Sequence, residues 1–441
     1  MAGTTLMRIT AFAAALVLAS AVALLVGGAL APLHPAAAQT PPADFVPGEV
    51  LVRFEPSATG QERAEAHRQN DAEVDEVIPD IGVRVVDVPV GRERSAVAAY
   101  ERNPNVSYAE VNGILRLADH GAPNDPRVGE QWQYHNTRVD STGQELDADI
   151  DAFEAWHLTR GNSTVEIAIV DTGIDLDHED LKDKIVVEKS YNVTRSKTLN
   201  DKYGHGTHVA GSAAAATDNG TGVAGTCPNC RLYNVKVVGD NGSGNVGGLA
   251  KGITWAADNG AEVINMSLTS TSGSRALEAA VDYAWRKNVV LVAAAGNYQT
   301  NKKYYPAAYA NVIAVAATDH NDVRAKFSNY GGWVDVAAPG KSILSTAPNH
   351  SSVMWGTRPK TYGTISGTSM ATPHVAGLAG LVWSTGMCND GIPETRDNAC
   401  VRDRIETTAD KIAGTGTRWA HGRVNAYKSV FSPPAPPAPG G

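Results

Sequence analysis

The sequence predicts an α/β fold, a mostly parallel β-sheet with helices on both faces, preceded by a smaller α+β unit. In the larger, second part of the chain, short apolar runs of Val, Ile and Ala alternate with Ala-rich segments of helical periodicity. This alternation is typical of parallel strands joined by helices. The first part instead shows strands of alternating apolar and polar residues around two charged helical segments.

Length and composition agree with this architecture. The 441 residues are enough for two or three domains. Charged residues make up 19% of the chain, aromatic residues 6%, and 43 residues are glycine, which is typical of a compact α/β protein. The net charge of −9 is spread without basic blocks, so nucleic acid is not expected as a partner.

Residues 1–38 have the pattern of an export signal peptide. Arg8 is the only charged side chain before an apolar run over residues 11–33, and Ala36–Ala38 offer a small-residue cleavage site before Gln39. The apolar run is long for a signal core, so an uncleaved membrane anchor is the alternative. We expect cleavage and a secreted, extracellular protein.

The first folded unit covers residues 41–119. Its pattern predicts strands and helices in alternation, at residues 50–54 (strand), 60–70 (helix), 83–90 (strand), 92–102 (helix) and 106–117 (strand). The second unit covers residues 122–431. Residues 432–441, rich in Pro, Ala and Gly, are expected to be a disordered tail.

The second unit has strand and helix patterns that follow one another along the chain. The predicted strands include residues 165–170, 231–238, 262–266, 289–294 and 312–316. The predicted helices include residues 206–217, 248–259, 274–286, 369–385 and 400–407. Because functional groups of parallel sheets gather where the strands end, polar residues after these runs are candidates for a site.

Three motifs place polar side chains at such positions. Asp171 ends an apolar run and precedes a Gly turn in I-V-D-T-G, and His205 precedes an Ala-rich helix pattern in Y-G-H-G-T-H-V-A-G. Ser369, in G-T-S-M-A-T-P-H-V-A-G, starts a helix of small residues, where free N–H groups and the helix dipole stabilise a negative oxygen. Taken alone, Ser369 would be interpreted as a helix cap.

The three residue types together indicate nucleophilic catalysis. A serine hydroxyl is a weak nucleophile that needs a neutral imidazole to take its proton, and the imidazole needs a carboxylate to orient it. The chain order Asp, His, Ser is that of the subtilisin triad. The α/β-hydrolase order and its G-x-S-x-G turn do not match.

These motifs carry a resemblance to a known family. From about Asp125 to Val430 the sequence resembles the subtilases, which are serine endopeptidases, and is most similar to their thermitase-like branch. A fourth motif, V-V-L-V-A-A-A-G-N, ends at Asn297 and is also similar to that family. The resemblance implies the subtilisin-like three-layer αβα fold and an acyl-enzyme mechanism without a catalytic cofactor.

The same resemblance implies roles for the motif residues. Ser369 attacks the peptide carbonyl, His205 carries the proton, and Asp171 holds the imidazolium. The Asn297 amide and the backbone N–H of Ser369 then form the oxyanion hole, which stabilises the negative oxygen of the transition state.

The first unit, residues 41–119, resembles the inhibitory prodomain of subtilases, a ferredoxin-like βαββαβ unit. The resemblance implies that residues 117–120 lie across the active site like a product and that cleavage near them releases the enzyme. The expected partners are therefore protein or peptide substrates and the chain's own prodomain, and a monomer is expected.

By resemblance, the substrate binds as an added β-strand, which favours broad specificity because backbone pairing ignores side chains. The residues implied are Gly242, Ser243 and Gly244 on one side, Ser267, Leu268 and Thr269 on the other, and Ala294, Gly296 and Tyr304 around a side-chain pocket. Thr269 and Ser270 stand where subtilisins usually carry a Gly pair, and Tyr304 where a smaller residue is common. Both changes would narrow the pocket. The Tyr305–Pro306 bond resembles a cis bond of the family.

A structural calcium site is expected from the same resemblance. Its ligands would be Asp125 and Asp180 together with oxygens of the D-N-G loop, namely those of Ala216, Asn219, Thr221 and Val223. This set offers the hard oxygens that calcium takes. The alternative is that D-N-G is only a turn. No second site is expected in residues 192–200, which lack acids, and Asp201 is assigned to positioning the His205 loop or the substrate.

Four cysteines suit an exported protein. Cys227 and Cys230 form C-P-N-C, and Cys388 and Cys400 bracket a polar loop. Of the three possible connectivities, pairing of near neighbours is the simplest, and neither a zinc site nor a redox C-x-x-C is favoured.

Two other functions are alternatives. The first is a non-catalytic secreted binder, which the presence of all four motif residues disfavours. The second is a metallohydrolase, suggested by the H-x-x-H of His205 and His208, although the zinc protease motif requires H-E-x-x-H.

Overall fold

The computed structural model describes residues 45–113, 122–139, 146–388 and 397–431. The chain divides into two compact units, residues 1–118 and 119–441. The expected signal peptide, the expected product-like segment at 117–120 and the expected tail lie outside the described residues. In the described part of the chain, no helix combines the length and the apolar character needed to cross a membrane.

The first unit is an antiparallel sheet with two helices. The elements are β1 (Phe45–Phe54), α1 (Gly60–Gln69), β2 (Glu73–Ile78), β3 (Val83–Asp87), α2 (Glu93–Glu101) and β4 (Val106–Gly113). The strands lie in the order β2-β3-β1-β4. This is the predicted βαββαβ order, although β2 itself was not recognised in the sequence. All of its residues are exposed, so it lacks the apolar alternation that marks a half-buried strand.

Local signals explain the elements of this unit. Val50, Val52 and Phe54 alternate along β1 and are buried with Ala66 of α1 and Tyr100 of α2. Thr59 caps α1 through a reciprocal pair of hydrogen bonds with the third helical residue, Glu62, which satisfies N–H groups that the helix cannot.

The second unit contains an eight-stranded sheet in which all neighbouring strands are parallel. Its strands are β5 (Glu166–Asp171), β6 (Tyr191–Asn192), β7 (Arg231–Lys236), β8 (Val263–Met266), β9 (Val290–Ala294), β10 (Ile313–Thr318), β11 (Val336–Pro339) and β14 (Gly422–Arg423). They lie in the order β14-β11-β10-β9-β8-β5-β7-β6. Two further strands, β12 (Ile343–Thr346) and β13 (Tyr362–Ile365), form a separate antiparallel pair.

Helices cover both faces of the parallel sheet. They are α3 (Ala152–Leu158), α4 (His205–Ala214), α5 (Val246–Asp258), α6 (Arg275–Arg286), α7 (Thr368–Ser384), α8 (Asp397–Thr407) and α9 (Ala426–Val430). Residues of α5 and α6 belong to one apolar cluster, and those of α3, α4, α7, α8 and α9 to another. The sheet separates the two clusters, so the predicted three-layer αβα architecture is confirmed.

Helix α7 is buried along nearly its whole length, because its small residues allow close packing. At Gly377, a Cβ would lie 2.6 Å from the backbone oxygen of Ala213 in α4. Close contact between α4 and α7 fixes the two helices that begin with the residues of the expected triad.

Both cysteine pairs form disulfides between near neighbours, Cys227–Cys230 and Cys388–Cys400. The Tyr305–Pro306 peptide bond is cis.

Candidate active site

Asp171 lies at the end of a strand in the middle of the sheet. It is the last residue of β5, which pairs with β7 and β8, and it is buried. The N–H of Thr172 donates to Asp171 Oδ1 at 2.7 Å. The carboxylate is thus held by backbone at the carboxyl edge of the sheet, where parallel sheets gather their functional groups.

His205 begins helix α4 and meets this carboxylate. Its Nδ1 donates to Asp171 Oδ1 over 2.8 Å, which leaves Nε2 as the nitrogen that can accept a proton. Helix α4 comes this close to β5 because residue 206 is glycine, where a Cβ would lie 2.2 Å from the Gly173 oxygen. The Gly-His-Gly sequence therefore permits the contact.

The surroundings of His205 act on its pKa in opposite directions. Burial lowers the pKa, while the charge and hydrogen bond of Asp171, together with the charge of Asp201, raise it. The net result is a pKa above the ordinary value of histidine. The imidazole is therefore a stronger proton acceptor than a free one.

Ser369 is the second residue of α7 and is half-buried. Its Oγ donates to the Ser267 carbonyl at 3.2 Å, and the Ser267 Oγ donates to the Ser369 carbonyl at 2.9 Å. Because Ser267 directly follows β8, these bonds tie the start of α7 to the sheet. Among the described residues, no hydrogen bond joins Ser369 to His205. Catalytic hydrogen bonds are often long without substrate and shorten when it binds.

Asn297 lies beside the start of α7. Its Oδ1 accepts from the N–H of Thr368 at 2.8 Å and from the Thr368 Oγ1 at 2.9 Å. Both hydrogen bonds are accepted by Oδ1, so they do not use the Nδ2 group as a donor. Nδ2 lies 3.4 Å from where a Cβ of Gly367 would be, at the same helix end that carries the N–H of Ser369.

Two residues that orient the loop of Asn297 have no recognisable signal of that role in the sequence. Thr368 receives a hydrogen bond from the N–H of Gly296 at 3.1 Å in addition to binding Asn297. Asn329 donates from Nδ2 to the Ala295 oxygen at 2.8 Å, and its Oδ1 accepts from Tyr298 N at 3.0 Å. Thr368 lies within the quoted G-T-S-M-A motif, but nothing in the local sequence distinguishes Asn329 from a turn asparagine.

Comparison with known proteins gives the family. A model of the subtilase family matches residues 162–424, more than half of the chain. The chain belongs to the subtilase family. A model of the fervidolysin N-terminal prodomain matches residues 32–112. The protein is therefore a subtilisin-like serine endopeptidase with a prodomain of that type.

Individual proteins that are similar to this chain are also serine proteases or other proteases. The subtilase is 43% identical over 391 residues to the thermophilic serine proteinase of Bacillus sp. (strain AK1), which covers 88% of each chain. It is 50% identical over 281 residues to thermitase of Thermoactinomyces vulgaris, over 64% of this chain and 93% of thermitase. Among solved structures, proteases from Pseudoalteromonas arctica PAMC 21717 superpose with a TM-score of 0.60 and 31% identity, over 70% of this chain and 99% of that one. The predicted resemblance is confirmed.

Four of the expected substrate-binding residues of the subtilase line one cavity. Gly242, Gly244, Leu268 and Thr269 surround a volume of about 490 Å³. Ser243, between the two glycines, accepts a hydrogen bond from Gly239 N on its carbonyl at 2.9 Å. Residues of both expected backbone segments thus border one cavity.

Ala294, Gly296 and Tyr304, which were expected to surround the side-chain pocket, do not line this cavity. Ala294 ends β9. Thr269 has its methyl group 3.6 Å from where a Cβ of Gly296 would be, so this side chain stands next to the Gly296 backbone. Tyr304 stacks on Tyr298, with ring centroids 4.8 Å apart and an interplanar angle of 11°.

The residues expected to bind calcium are close together. Asn219 bridges the two buried carboxylates, donating from Nδ2 to Asp180 Oδ1 at 2.9 Å and from N to Asp125 Oδ1 at 3.5 Å. Burial raises the pKa of both carboxyls, and the charge of Asp180 adds to the shift of Asp125. No described residue donates a hydrogen bond to the carbonyl oxygens of Ala216, Thr221 or Val223. Two buried carboxylates and three free carbonyls are a donor set that fits calcium.

A second acidic group was not expected from the sequence. Ligand oxygens of Asp147, Asp149 and Asp151 lie within 4.8 Å of one another. Burial, followed by the charges of Asp147 and Asp149, raises the pKa of Asp151 to about 7. Arg423 donates to the Asp147 carbonyl oxygen and forms an ion pair with Asp410 at 2.9 Å, so a guanidinium supplies positive charge beside this group.

His208 does not form a site together with His205. Its Nε2 lies 3.1 Å from the carbonyl oxygens of Ile343 and Gly363, and burial lowers its pKa to about 3. The two histidines of H-x-x-H therefore point to different surroundings, and His208 links α4 to β12 and β13.

Proposed function

We propose that this subtilase hydrolyses peptide bonds through Asp171, His205 and Ser369, with Asn297 in the oxyanion hole. The observation that carries the proposal is the 2.8 Å hydrogen bond from His205 Nδ1 to buried Asp171. It orients the imidazole at the start of α4, and α4 packs against α7, whose second residue is Ser369.

These positions support the following acylation step. Nε2 of His205 takes the proton of Ser369 Oγ as that oxygen bonds to the substrate carbonyl carbon. The imidazolium then gives the proton to the leaving nitrogen, the C–N bond breaks, and an acyl ester remains on Ser369. Asp171 stabilises the imidazolium, which agrees with the raised pKa of His205.

Deacylation repeats the same proton transfers with water. His205 Nε2 takes a proton from a water molecule whose oxygen bonds to the ester carbon, and the proton then goes to Ser369 Oγ as the ester bond breaks. In both steps the negative oxygen accepts hydrogen bonds from Asn297 Nδ2 and the Ser369 N–H.

The substrate pairs as a strand with the two backbone walls around the cavity, which gives broad specificity. Gly242, Gly244, Leu268 and Thr269 line that cavity. The Thr269 methyl group beside Gly296 and the stacked ring of Tyr304 limit the size of the accepted side chain.

The enzyme is made as a secreted precursor with a signal peptide at residues 1–38. The matched prodomain supports inhibition in cis until cleavage after about residue 119. Subtilases typically bind calcium, and here Asp125, Asp180 and the loop oxygens of Ala216, Asn219, Thr221 and Val223 would hold one structural ion. The ion would offset the charge of the two buried carboxylates.

The test is substitution of the nucleophile. Ser369→Ala should abolish peptide hydrolysis, by a factor on the order of 10⁶ in kcat, and should leave the precursor uncleaved after the prodomain. A fluorophosphonate probe should label the wild-type enzyme and not the variant. Ser366→Ala, three residues earlier and exposed, is the control and should be processed and labelled normally. Processed, active Ser369→Ala enzyme would exclude the proposal.

A further inference from the structure

A loop between β12 and β13 lies against the residues that precede His205. The loop covers residues 347–361, and the pair of strands it joins leads directly to the helix of Ser369. Only three residues, at positions 366–368, separate β13 from Ser369. A rigid loop at this place would connect the segment of the general base to the segment of the nucleophile.

The tip of the loop is closed and pairs with the His205 segment. Ser352 and Gly356 exchange two backbone hydrogen bonds, at 3.1 and 2.9 Å. Between them, Val353 N donates to the Lys202 oxygen at 3.1 Å, and Met354 N donates to the Tyr203 oxygen at 2.9 Å. The tip therefore runs beside the two residues that come shortly before His205.

Trp355 continues this pairing with its side chain. Its Nε1 donates to the Gly204 oxygen at 2.9 Å. That oxygen belongs to the peptide group that joins Gly204 to His205, and because the group is planar, holding the oxygen also holds the backbone nitrogen of His205. The indole thus acts on the residue next to the proposed general base.

The Trp355 indole ring packs closely between the segment that precedes His205 and strand β13. A Cβ on Gly204 would lie 2.5 Å from Trp355 Cδ1, and a Cβ on Gly363 of β13 would lie 2.2 Å from the other end of the ring. The ring also stacks on His208, with an interplanar angle of 15°. Two glycines and a buried imidazole therefore form a slot for this one side chain.

The base of the loop is also attached near the site. Asn349 N donates to the buried carboxylate of Asp175 at 2.7 Å, and the His350 Nε2 lies 3.3 Å from Asn200 Oδ1. Contacts at both the base and the tip keep the loop in place, so Trp355 is presented by a supported segment.

We propose that Trp355 is a positioning residue that holds His205 in register with Ser369 by clamping the Gly204–His205 peptide against β13. This inference rests on the proposed function, since it assigns a role to Trp355 only if His205 and Ser369 act together. Trp355 does not touch the reacting atoms and acts through the backbone of α4.

The test compares Trp355→Phe with the wild-type enzyme, both quantified by fluorophosphonate titration of active sites. Phenylalanine keeps a ring in the slot but cannot donate to the Gly204 oxygen. We expect kcat per titrated site to fall roughly two- to tenfold, the effect of one net hydrogen bond, with KM unchanged because the substrate walls are untouched. The rate constant of labelling should fall by the same factor.

Two more variants complete the test. Trp355→His retains a ring N–H and should recover part of the lost kcat. Val353→Ala changes an exposed side chain of the same loop and should leave kcat and KM unchanged. A purely structural role would lower the Tm of Trp355→Phe while kcat per site stayed at the wild-type value, which would overturn the proposal.

Failure of the proposed function can be distinguished from failure of the role assigned to Trp355. If wild-type enzyme is not labelled at all, the proposed function is wrong. If wild-type enzyme is labelled and Trp355→Phe has normal kcat per site, only the role of Trp355 is wrong. If neither Trp355→Phe nor Trp355→His gives titratable enzyme, Trp355 is required for folding and the positioning role is also overturned.

Discussion

Neutral side chains position Asn297, the proposed oxyanion-hole donor, and the loop that carries it. Thr368 fixes the oxygen of Asn297 and so turns its Nδ2 toward the start of α7. Asn329 holds the Ala295 oxygen of the same loop. Such hydrogen bonds hold the oxyanion-hole donors in position in advance. The donors therefore need not reorient when negative charge develops in the transition state.

Asn297 should contribute to kcat rather than to substrate binding. Asn297→Ala removes the Nδ2 donor, and loss of one such donor in subtilisin lowers kcat by about 10² to 10³. We expect a decrease of that order with KM nearly unchanged, measured by steady-state hydrolysis of a peptide substrate. Asn301→Ala, which removes an exposed amide side chain four residues further on, is the control. A rise in KM with normal kcat would assign Asn297 to substrate binding instead.

Asp201 should influence the pH dependence of the reaction. It is fully buried and accepts hydrogen bonds from Gly204 N at 2.7 Å and Thr207 N at 2.9 Å, and its negative charge helps to raise the pKa of His205. The base must be unprotonated, so kcat/KM rises with pH through the pKa of His205.

Asp201→Asn removes that charge, lowers the pKa of His205 and should move the acidic limb of the kcat/KM profile to lower pH. Asp171, which is hydrogen-bonded to His205 Nδ1, and His208 on the same helix remain in this variant, so part of the shift of the His205 pKa persists. An acidic limb at the wild-type position, with activity reduced equally at all pH values, would show that Asp201 acts only on structure.

At the scale of elements, the site depends on how closely α4 and α7 approach the sheet and each other. Gly206 and Gly377 provide this approach, since side chains at either position would meet backbone oxygen atoms at 2.2 and 2.6 Å. Such short contacts with backbone atoms could be relieved only if a helix or strand moved. The small residues of α7 are therefore needed for packing rather than for flexibility.

Gly377→Ala should destabilise the enzyme by roughly 1–3 kcal/mol, the usual range for overpacking of a buried site. Gly247→Ala is the matched control, because Gly247 lies in helix α5 and its Cβ would meet only Asn245 Oδ1, at 3.5 Å. That control should be neutral or slightly stabilising, since alanine favours helix. Thermal unfolding of the processed enzymes measures both, and equal Tm values for the two variants would contradict this account of α7.

For the whole molecule, the buried carboxylates Asp125 and Asp180 link stability to pH and, if the proposed site binds its ion, to calcium. Without an ion, their raised pKa values in the folded state mean that stability falls as pH rises through the range between the unfolded and folded pKa values. An ion in the proposed site would offset this loss and, at a concentration 100 times its Kd, would stabilise the fold by about 2.7 kcal/mol.

Chelation of calcium should therefore lower the Tm of the enzyme, and more at pH 8 than at pH 5. Asp180→Asn should remove most of this calcium dependence, whereas Asp147→Asn in the other acidic group should retain it. Unfolding monitored with and without chelator at both pH values gives the comparison. A chelator effect of full size in Asp180→Asn would place the ion elsewhere.

Much of the fold was predictable because it follows local patterns. Apolar runs became buried parallel strands, and the Ala-rich segments became helices shifted by a few residues at their ends. The strand β2 was missed because Glu73–Ile78 has no buried face. The short strands β6 and β14 contain two residues each, too few for any periodicity, so only pairing with neighbours defines them.

By itself, the sequence determined the family, the three-layer architecture and the identity of Asp171, His205, Ser369 and Asn297 as candidates. It could do so because each motif is contiguous and its polar residue lies at, or within three residues of, the end of a strand or the start of a helix. Only the tertiary structure decided what holds those side chains. Asn329, Thr368 and Trp355 act on partners 34, 71 and 151 positions away in the chain, and hydrogen bonds over such separations leave no local pattern, since any polar residue of suitable reach could make them.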